Sequence, residues 1–311
     1  MAIKVAINGA GRIGRACARM VLASPDMQLL AANDPMDPQT LDYLLRYDSV
    51  HGALDSLPPS LKFSSFLAPA ECDFSGADVV LECSGRFLTR EANRVHLKRG
   101  AKKVVLSAIP KDDTPVVAPG SQSVEPIVSA GSCTTNALWL LTVALQEAFG
   151  VETVLATSLH SYTSDQNLLD AKHTVEKRRG RAAALNIIPV ETMAARNLAR
   201  FESRWQTCAA AIGIRVPTPD VSLMQAVFRL GVCANKNAVN EALLQKSRQM
   251  PANLLAVENE PKVSGDMIGN PCSAVVAADL TQTAGSLVSV SAWHDNEWGY
   301  AARMIDLARL L

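Results

Sequence analysis

Short apolar runs alternate with helically spaced apolar positions through the first half of the chain. Residues 3–7 form a strand, Ile3-Lys4-Val5-Ala6-Ile7, and Ala16, Ala18, Met20, Val21 and Leu22 recur at helical spacing behind it. A second strand at 28–32 runs into Asn33-Asp34. Buried strands are predicted at 79–83, 103–108 and 126–129, with a helix at about 89–98 between the first two. A strongly apolar helix then starts at Cys133 and is closed by Gly150. This alternation predicts a parallel sheet covered by helices on both faces.

Beyond Gly150 the pattern changes to strands with fewer helices. A strand at 154–159 delivers His160. Another at 212–216 passes Arg215, and 222–229 reads as its continuation. Residues 237–250 make an amphipathic helix, and 273–278 and 287–293 read as two antiparallel strands around Gln282-Thr283-Ala284-Gly285. The segment 298–311 is a helix with Met304, Ile305, Leu307, Leu310 and Leu311 apolar. The stretch 54–71, rich in Pro and Ser, reads as a loop or short hairpin. The fold class predicted is α/β: a Rossmann-type dinucleotide-binding domain over 1–132, joined by a returning helix at 297–311. An α+β catalytic domain with a mixed or antiparallel sheet spans 133–296.

Composition narrows the setting. The chain has 311 residues, 48% hydrophobic and 19% charged, enough for two ordinary domains with real cores. Thirty basic residues balance thirty acidic ones, so no global field recruits nucleic acid or a membrane surface. The seven cysteines are scattered without a C-x-x-C pair, which argues for reduced thiols and against a disulfide framework or a zinc site. The first residues lead straight into a strand, with no signal-peptide pattern, and no apolar run reaches the roughly 18 residues a membrane span needs. The expectation is a soluble cytoplasmic protein without a metal.

Two constellations carry chemistry. In the first, Asn8-Gly9-Ala10-Gly11-Arg12-Ile13-Gly14 follows a strand and opens a helix, and Asp34 stands at the end of the next strand. This is the dinucleotide fingerprint. Gly9 permits the tight turn, Gly11 lets a pyrophosphate approach the backbone, Gly14 allows close helix–strand packing, and Asp34 is placed to accept from a ribose hydroxyl. Ser84, Gly85 and Ser107 end later strands of the same sheet, where ligands of such sheets sit. In the second, Cys133 falls in the first turn of an apolar helix. Free amides and the helix dipole there are expected to lower the thiol's pKa, making it a nucleophile.

Five ordered motifs, Asn8 to Gly14, Ser132-Cys133-Thr134-Thr135-Asn136, His160-Ser161-Tyr162-Thr163, Arg215-Val216-Pro217-Thr218-Pro219 and Trp293 to Tyr300, resemble the glyceraldehyde-3-phosphate dehydrogenase family over nearly the whole chain. The resemblance implies that Cys133 attacks an aldehyde and that His160 is its base. Asn296 would hold the nicotinamide carboxamide of NAD, with Tyr300 alongside. It further implies a thioester cleaved by inorganic phosphate, which would turn glyceraldehyde 3-phosphate into 1,3-bisphosphoglycerate, a glycolytic step. The substrate phosphate would meet Thr163 and Arg215, with Arg179 nearby. The attacking phosphate would meet Ser132, Thr134 and Thr192. A homotetramer is implied as well. Lys177 to Arg181 otherwise reads as a solvated basic loop, and the neutral chain lacks the interleaved aromatics of a nucleic-acid binder.

Some positions depart from the family pattern. Ala130-Gly131 stands where Asn-Ala is usual, and Asp165 replaces a common threonine. Pro189-Val190-Glu191-Thr192-Met193 puts a carboxylate and a thioether where the family carries a hydroxyl and a glycine. A unit charge at about 4 Å from an anion costs about 1–4 kcal/mol, so weakened phosphorolysis is expected. The similar pattern of erythrose-4-phosphate dehydrogenases makes that activity the alternative, and a low-activity paralogue with a regulatory or scaffold role a third reading. Asp34 favours NAD, and Ala171-Lys172, where Leu-Pro is common, predicts that NADP is tolerated.

Overall fold

The computed structural model describes residues 2–174 and 176–310; Leu311, predicted to end the last helix, and Val175, within the basic stretch, lie outside the described residues. The chain divides into a unit of residues 1–132 and 300–311 and a second unit, Cys133–Gly299.

The first unit opens β1 (Ile3–Asn8), α1 (Arg12–Ala23), β2 (Met27–Asn33), α2 (Pro38–Arg46) and a small antiparallel hairpin, β3 (Tyr47–Asp48) and β4 (Gly52–Ala53). It continues β5 (Lys62–Ser64), β6 (Val79–Glu82), α3 (Arg90–Lys98), β7 (Lys103–Leu106) and β8 (Ile127–Ser129). Six strands form one parallel sheet in the order β5-β2-β1-β6-β7-β8. Its central strands are largely apolar because they are buried on both faces; every residue of β6 and β7 is buried, including the charged Glu82 and Lys103 at their ends. Helix starts follow local chemistry. Asp37 accepts from Thr40 N at 2.9 Å ahead of Pro38, and Thr89 accepts from Ala92 N at 3.3 Å.

The Pro- and Ser-rich stretch is not only a loop. Its Lys62–Ser64 adds β5 as a parallel edge strand on β2, and its half-polar composition suits a strand with one exposed side. The final helix contributes its residues from Tyr300 onward to this unit. Arg309 pairs with Asp26 at 2.8 Å, and the Tyr300 hydroxyl donates to Gly131 O at 2.9 Å.

In the second unit α4 (Cys133–Phe149) precedes β9 (Val151–Ser161), β10 (Ile188–Glu191), α5 (Ala194–Leu198), α6 (Trp205–Cys208), β11 (Ala209–Val216) and β12 (Ser222–Leu230). Then come α7 (Lys236–Gln249), β13 (Leu255–Glu258), β14 (Ala274–Ala277), β15 (Gln282–Ala284), β16 (Leu287–His294) and the start of α8 (Trp298–Arg309). The mixed sheet runs β10-β11-β9-β12-β16-β14-β13, with β15 on β16. Leu138, Leu140, Leu141 and Leu145 of α4 are fully buried in a core with Phe228 of β12 and Leu243 of α7, as expected of a helix apolar nearly all round.

Two sequence expectations change here. Ser222–Leu230 does not continue Ala209–Val216: β12 lies on the other side of β9 and antiparallel to it, because the Pro217–Pro219 segment turns the chain. The segment expected as the turn between two antiparallel strands itself contains β15, hairpinned on β16 around Gly285, whose φ is +63°.

Candidate active site

In the first unit the fingerprint is built from backbone. A Cβ on Gly14 would lie 2.0 Å from Gly9 O, and one on Gly9, whose φ is +91°, would lie 2.3 Å from Ser84 N. Both glycines are therefore obligatory for the close turn. Nothing lies within 4 Å of the Cβ position at Gly11, which caps α1 without a side-chain bond and leaves that end open to an anion. Asp34 braces the turn, accepting from Ala10 N at 2.9 Å and Met36 N at 3.1 Å. A cleft of about 270 Å³ opens between Gly9, Gly11, Asp34 and Ser84. Glu82, which sequence reasoning did not single out, accepts from Ser84 N at 2.9 Å, Ser84 Oγ at 2.5 Å and Asn8 Nδ2 at 2.6 Å, tying two strand ends together. Ser107 N donates to Glu82 O at 2.9 Å. Arg12 pairs with Asp48, whose carboxyl is held well below the usual range against the cost of burial. A bare α1 N-terminus, glycine-lined approach and braced Asp34 fit a dinucleotide.

In the second unit Cys133 is the first residue of α4, and its Sγ lies 3.7 Å from His160 Nε2 and 3.7 Å from Thr134 Oγ1. The ring belongs to the end of β9, and the parallel register of β11 on β9 sets Arg215 directly opposite His160. Strand pairing, not sequence proximity, thus brings the guanidinium to the imidazole. Arg215 Nη1 lies 2.7 Å from His160 Nδ1 and donates to Ser161 O at 2.9 Å.

Electrostatics corrects one expectation. Burial pushes the Cys133 thiol up from its ordinary value, and the Thr134 hydroxyl and the Arg215 charge oppose this without overcoming it. In the free chain the sulfur is therefore a thiol that needs a base. Burial, then the Arg215 charge, lowers His160 to about 3, so the imidazole is neutral. His294, edge-on to it with ring centroids 6.3 Å apart, is lowered by burial to about 4.

The anion-binding residues divide. Thr163 donates to Asp165, and Arg179 donates to the other oxygen of the same carboxylate at 2.5 Å. Although burial works against it, these two bonds hold Asp165 below the usual carboxylate value. Within the basic loop Arg179 faces this cluster, while Arg181 is exposed on Asp170 at 2.8 Å. Thr192 Oγ1 accepts from Ala194 N at 3.2 Å; Glu191 is exposed, and Met193 is half exposed with its sulfur 3.9 Å from Arg196 Nη1. Asn296 is buried and its Oδ1 accepts from Ser161 Oγ at 3.0 Å and Ser222 Oγ at 2.7 Å. Those two serines were not singled out from the sequence. They lie 135 and 74 residues from Asn296, and only strand pairing makes them neighbours. Ser132 is the last residue of the first unit before Cys133. Tyr300 is buried on Gly131, a brace for the turn ahead of Cys133. Val221, at φ +64°, is a strained β-branched residue beside this region.

Comparison with known proteins adds to the geometry. Residues 3–90 match the family model of the glyceraldehyde 3-phosphate dehydrogenase NAD binding domain, and residues 132–296 match that of its C-terminal domain. The chain belongs to the glyceraldehyde-3-phosphate dehydrogenase family. Glyceraldehyde-3-phosphate dehydrogenase of Helicobacter pylori is 37% identical over 99% of both chains. That of Geobacillus stearothermophilus is 39% identical over 99% of this chain and 98% of its own. Glyceraldehyde-3-phosphate dehydrogenase 1 of Bacillus subtilis is 37% identical over the same shares. The family membership agrees with the α/β fold and with NAD as the cofactor of the glycine-cradled unit.

Proposed function

We propose that the chain catalyses NAD-dependent, phosphorylating oxidation of glyceraldehyde 3-phosphate to 1,3-bisphosphoglycerate, with Cys133 as nucleophile and His160 as base. The observation that carries this reading is the 3.7 Å approach of Cys133 Sγ to His160 Nε2 at the start of a buried helix. His160 takes the thiol proton as Sγ adds to the aldehyde carbon, and the imidazolium returns it to the oxyanion to give a thiohemiacetal. The imidazole then removes that hydroxyl proton as hydride leaves, and a thioester remains on Cys133. NAD, when bound, supplies the hydride acceptor. Gly9, Gly11, Arg12, Ile13, Gly14, Asp34, Ser84, Gly85 and Ser107 hold the dinucleotide, and Asn296 and Tyr300 serve its nicotinamide end. Thr163, Arg179 and Arg215 receive the substrate phosphate, since forked guanidinium donors match phosphoryl oxygens. Ser132, Thr134 and Thr192 receive inorganic phosphate, whose oxygen attacks the thioester while sulfur leaves and is reprotonated by His160.

The relatives' names favour the three-carbon substrate over erythrose 4-phosphate. The test is NADH formation from glyceraldehyde 3-phosphate with NAD and phosphate; none at any protein concentration overturns the reading. Glu191 and Met193 beside Thr192 favour weak phosphorolysis, and full dependence of turnover on inorganic phosphate contradicts that. NADP is tolerated through the exposed Lys172, a claim that an undetectable NADP reaction defeats. Among the described residues no helix is long and apolar enough to cross a membrane. Leu155 and Ile212 lie exposed on the second unit's sheet, and Leu168, Leu169, Leu185 and Ile187 are more exposed still. Burying such side chains in copies of the same chain supports a homotetramer, and a monomer by light scattering contradicts it.

A further inference from the structure

Beneath the nucleotide cleft runs a chain of hydrogen bonds whose direction is fixed at both ends. At one end the backbone fixes it. Asn33 Nδ2 donates to Phe66 O at 3.0 Å, and Asn33 Oδ1 accepts from Phe66 N and from Ser64 Oγ, each at 2.9 Å. This amide cannot turn over without setting N–H against N–H and carbonyl against carbonyl. Asn33 Nδ2 also donates to Asn8 Oδ1 at 2.9 Å, which leaves Asn8 Nδ2 to donate to Glu82 Oε2 at 2.6 Å. At the other end Ser84 N donates to Glu82 Oε1 at 2.9 Å. The Ser84 hydroxyl donates to the same oxygen at 2.5 Å and accepts from Arg86 N at 3.2 Å. Both ends therefore send donors to position 82, and a side chain with an acceptor at each tip receives them. Asn8, Asn33 and Glu82 are each at most 3% exposed, so water does not replace a bond that is lost there.

We propose that Glu82 is a positioning residue for the dinucleotide: its two oxygens are the acceptors that hold Ser84 to Asn8 and, through Asn33, to Phe66. Asn8, Asn33, Ser64 and Glu82 are the last residues of β1, β2, β5 and β6, which stand side by side in the order β5-β2-β1-β6. The chain thus ties together the carboxyl ends of four neighbouring strands, where ligands of such sheets sit. Asn8, Asn33, Phe66, Ser84 and Arg86 line the cleft, and Glu82 acts on the cofactor through them. Walls set in advance leave less ordering to be done when the nucleotide enters. The inference rests on the reading that this cleft takes NAD. His96 Nε2 stands 3.8 Å from Glu82 Oε2, beyond hydrogen-bond reach, and is not a link in the chain. Glutamine at position 82 has one acceptor tip and one donor tip. Whichever way it lies, its amide sets donor against donor, at Ser84 N or at Asn8 Nδ2.

A reciprocal exchange tests this. Glu82→Gln should weaken NAD binding by about tenfold or more by titration calorimetry, the scale of one buried donor left unpaired, and the loss should fall on KM for NAD more than on kcat. Asn8→Asp, which sets two carboxylates tip to tip, should weaken binding by a similar factor. In the double variant Glu82→Gln with Asn8→Asp, the new amide donates to the new carboxylate, while Ser84 and Asn33 keep their acceptors. NAD affinity should then return to within about threefold of the parent's. The NAD-free chain gives a separate reading. Hydrogen exchange at the Ser84 and Phe66 amides should quicken in each single variant and slow again in the double. An acid that is merely structural predicts instead a lower Tm with unchanged NAD affinity in the single variants, or losses that add in the double. Either result overturns the proposal, as does a Glu82→Gln chain that binds NAD as the parent does. Where a single variant does not fold, the double carries the test: it should fold and bind NAD, and failure to do either overturns the proposal. A parent chain that binds no NAD defeats the reading of the cleft instead, and amide exchange in the NAD-free variants stands apart from it.

Discussion

The nucleotide unit and the catalytic unit prepare for anions by different means. The first offers backbone: a bare helix end at Gly11, a turn that only glycine can make at Gly9 and Gly14, and one carboxylate at Asp34 that braces it. The second offers side chains carried by separate elements, with Cys133 on α4, His160 on β9 and Arg215 on β11, and Thr163 and Arg179 gathered on one carboxylate. A site made of backbone fails when atoms are added to it. A site made of side chains fails when a functional group is removed or when strand register slips.

Substitutions should therefore separate the two behaviours. The largest effect is expected at Cys133→Ser, which should lower NADH formation by about 10⁴-fold or more while leaving nucleotide affinity by fluorescence titration within a factor of about two. His160→Gln should cost about 10²–10⁴. Activity within tenfold of the parent in either variant breaks the assignment. Gly14→Ala reverses the pattern. Its Cβ would meet Gly9 O at 2.0 Å, so about 1–3 kcal/mol of overpacking should appear as a lower Tm and roughly tenfold weaker NAD binding. Unchanged NAD affinity would mean that the turn yields.

Two smaller effects sharpen the contrast. His160 and His294 have folded pKa values lowered to about 3 and about 4 by burial, against 6.5 for the free group. The unfolded chain thus binds their protons first. Their contribution to stability is complete above pH 6.5 and is lost as pH falls toward those values, at about 1.4 kcal/mol per pH unit for each group. His294→Asn should flatten the fall of unfolding free energy between pH 6.5 and 5, and an unaltered slope contradicts the assignment. At Asp34, Asn should raise the ratio of NADP to NAD kcat/KM by about tenfold, the scale of one charge near a phosphate. No change in that ratio would show that the carboxylate serves only the turn.

Sequence reasoning succeeded where information is local. The fingerprint, the apolar start of α4 and the strand ahead of His160 each occupy one short window, and the structure has them as helix or strand within a few residues. It failed where pairing or burial decides. Nothing near Asn296 announces Ser161 and Ser222 as its partners, and nothing near Asn8 announces Glu82, 74 residues away, as the acid its amide donates to. The polar stretch around Lys62 hid a strand because edge strands need little apolar character. The pKa of Cys133 was argued from its helix position alone, whereas burial, invisible in one dimension, sets its direction. The order of β11 and β12 about β9 also lay beyond local pattern, since two prolines between them read equally well as a pause and as a reversal.

The most direct test of the account is the covalent state of Cys133 during turnover. The chain is mixed with glyceraldehyde 3-phosphate and NAD without inorganic phosphate, quenched in acid within the first turnover, digested and mapped by mass spectrometry. The account predicts a phosphoglyceroyl thioester on Cys133 in proportion to the NADH formed. NADH without an acyl group there, or the acyl group on another of the seven cysteines, contradicts it.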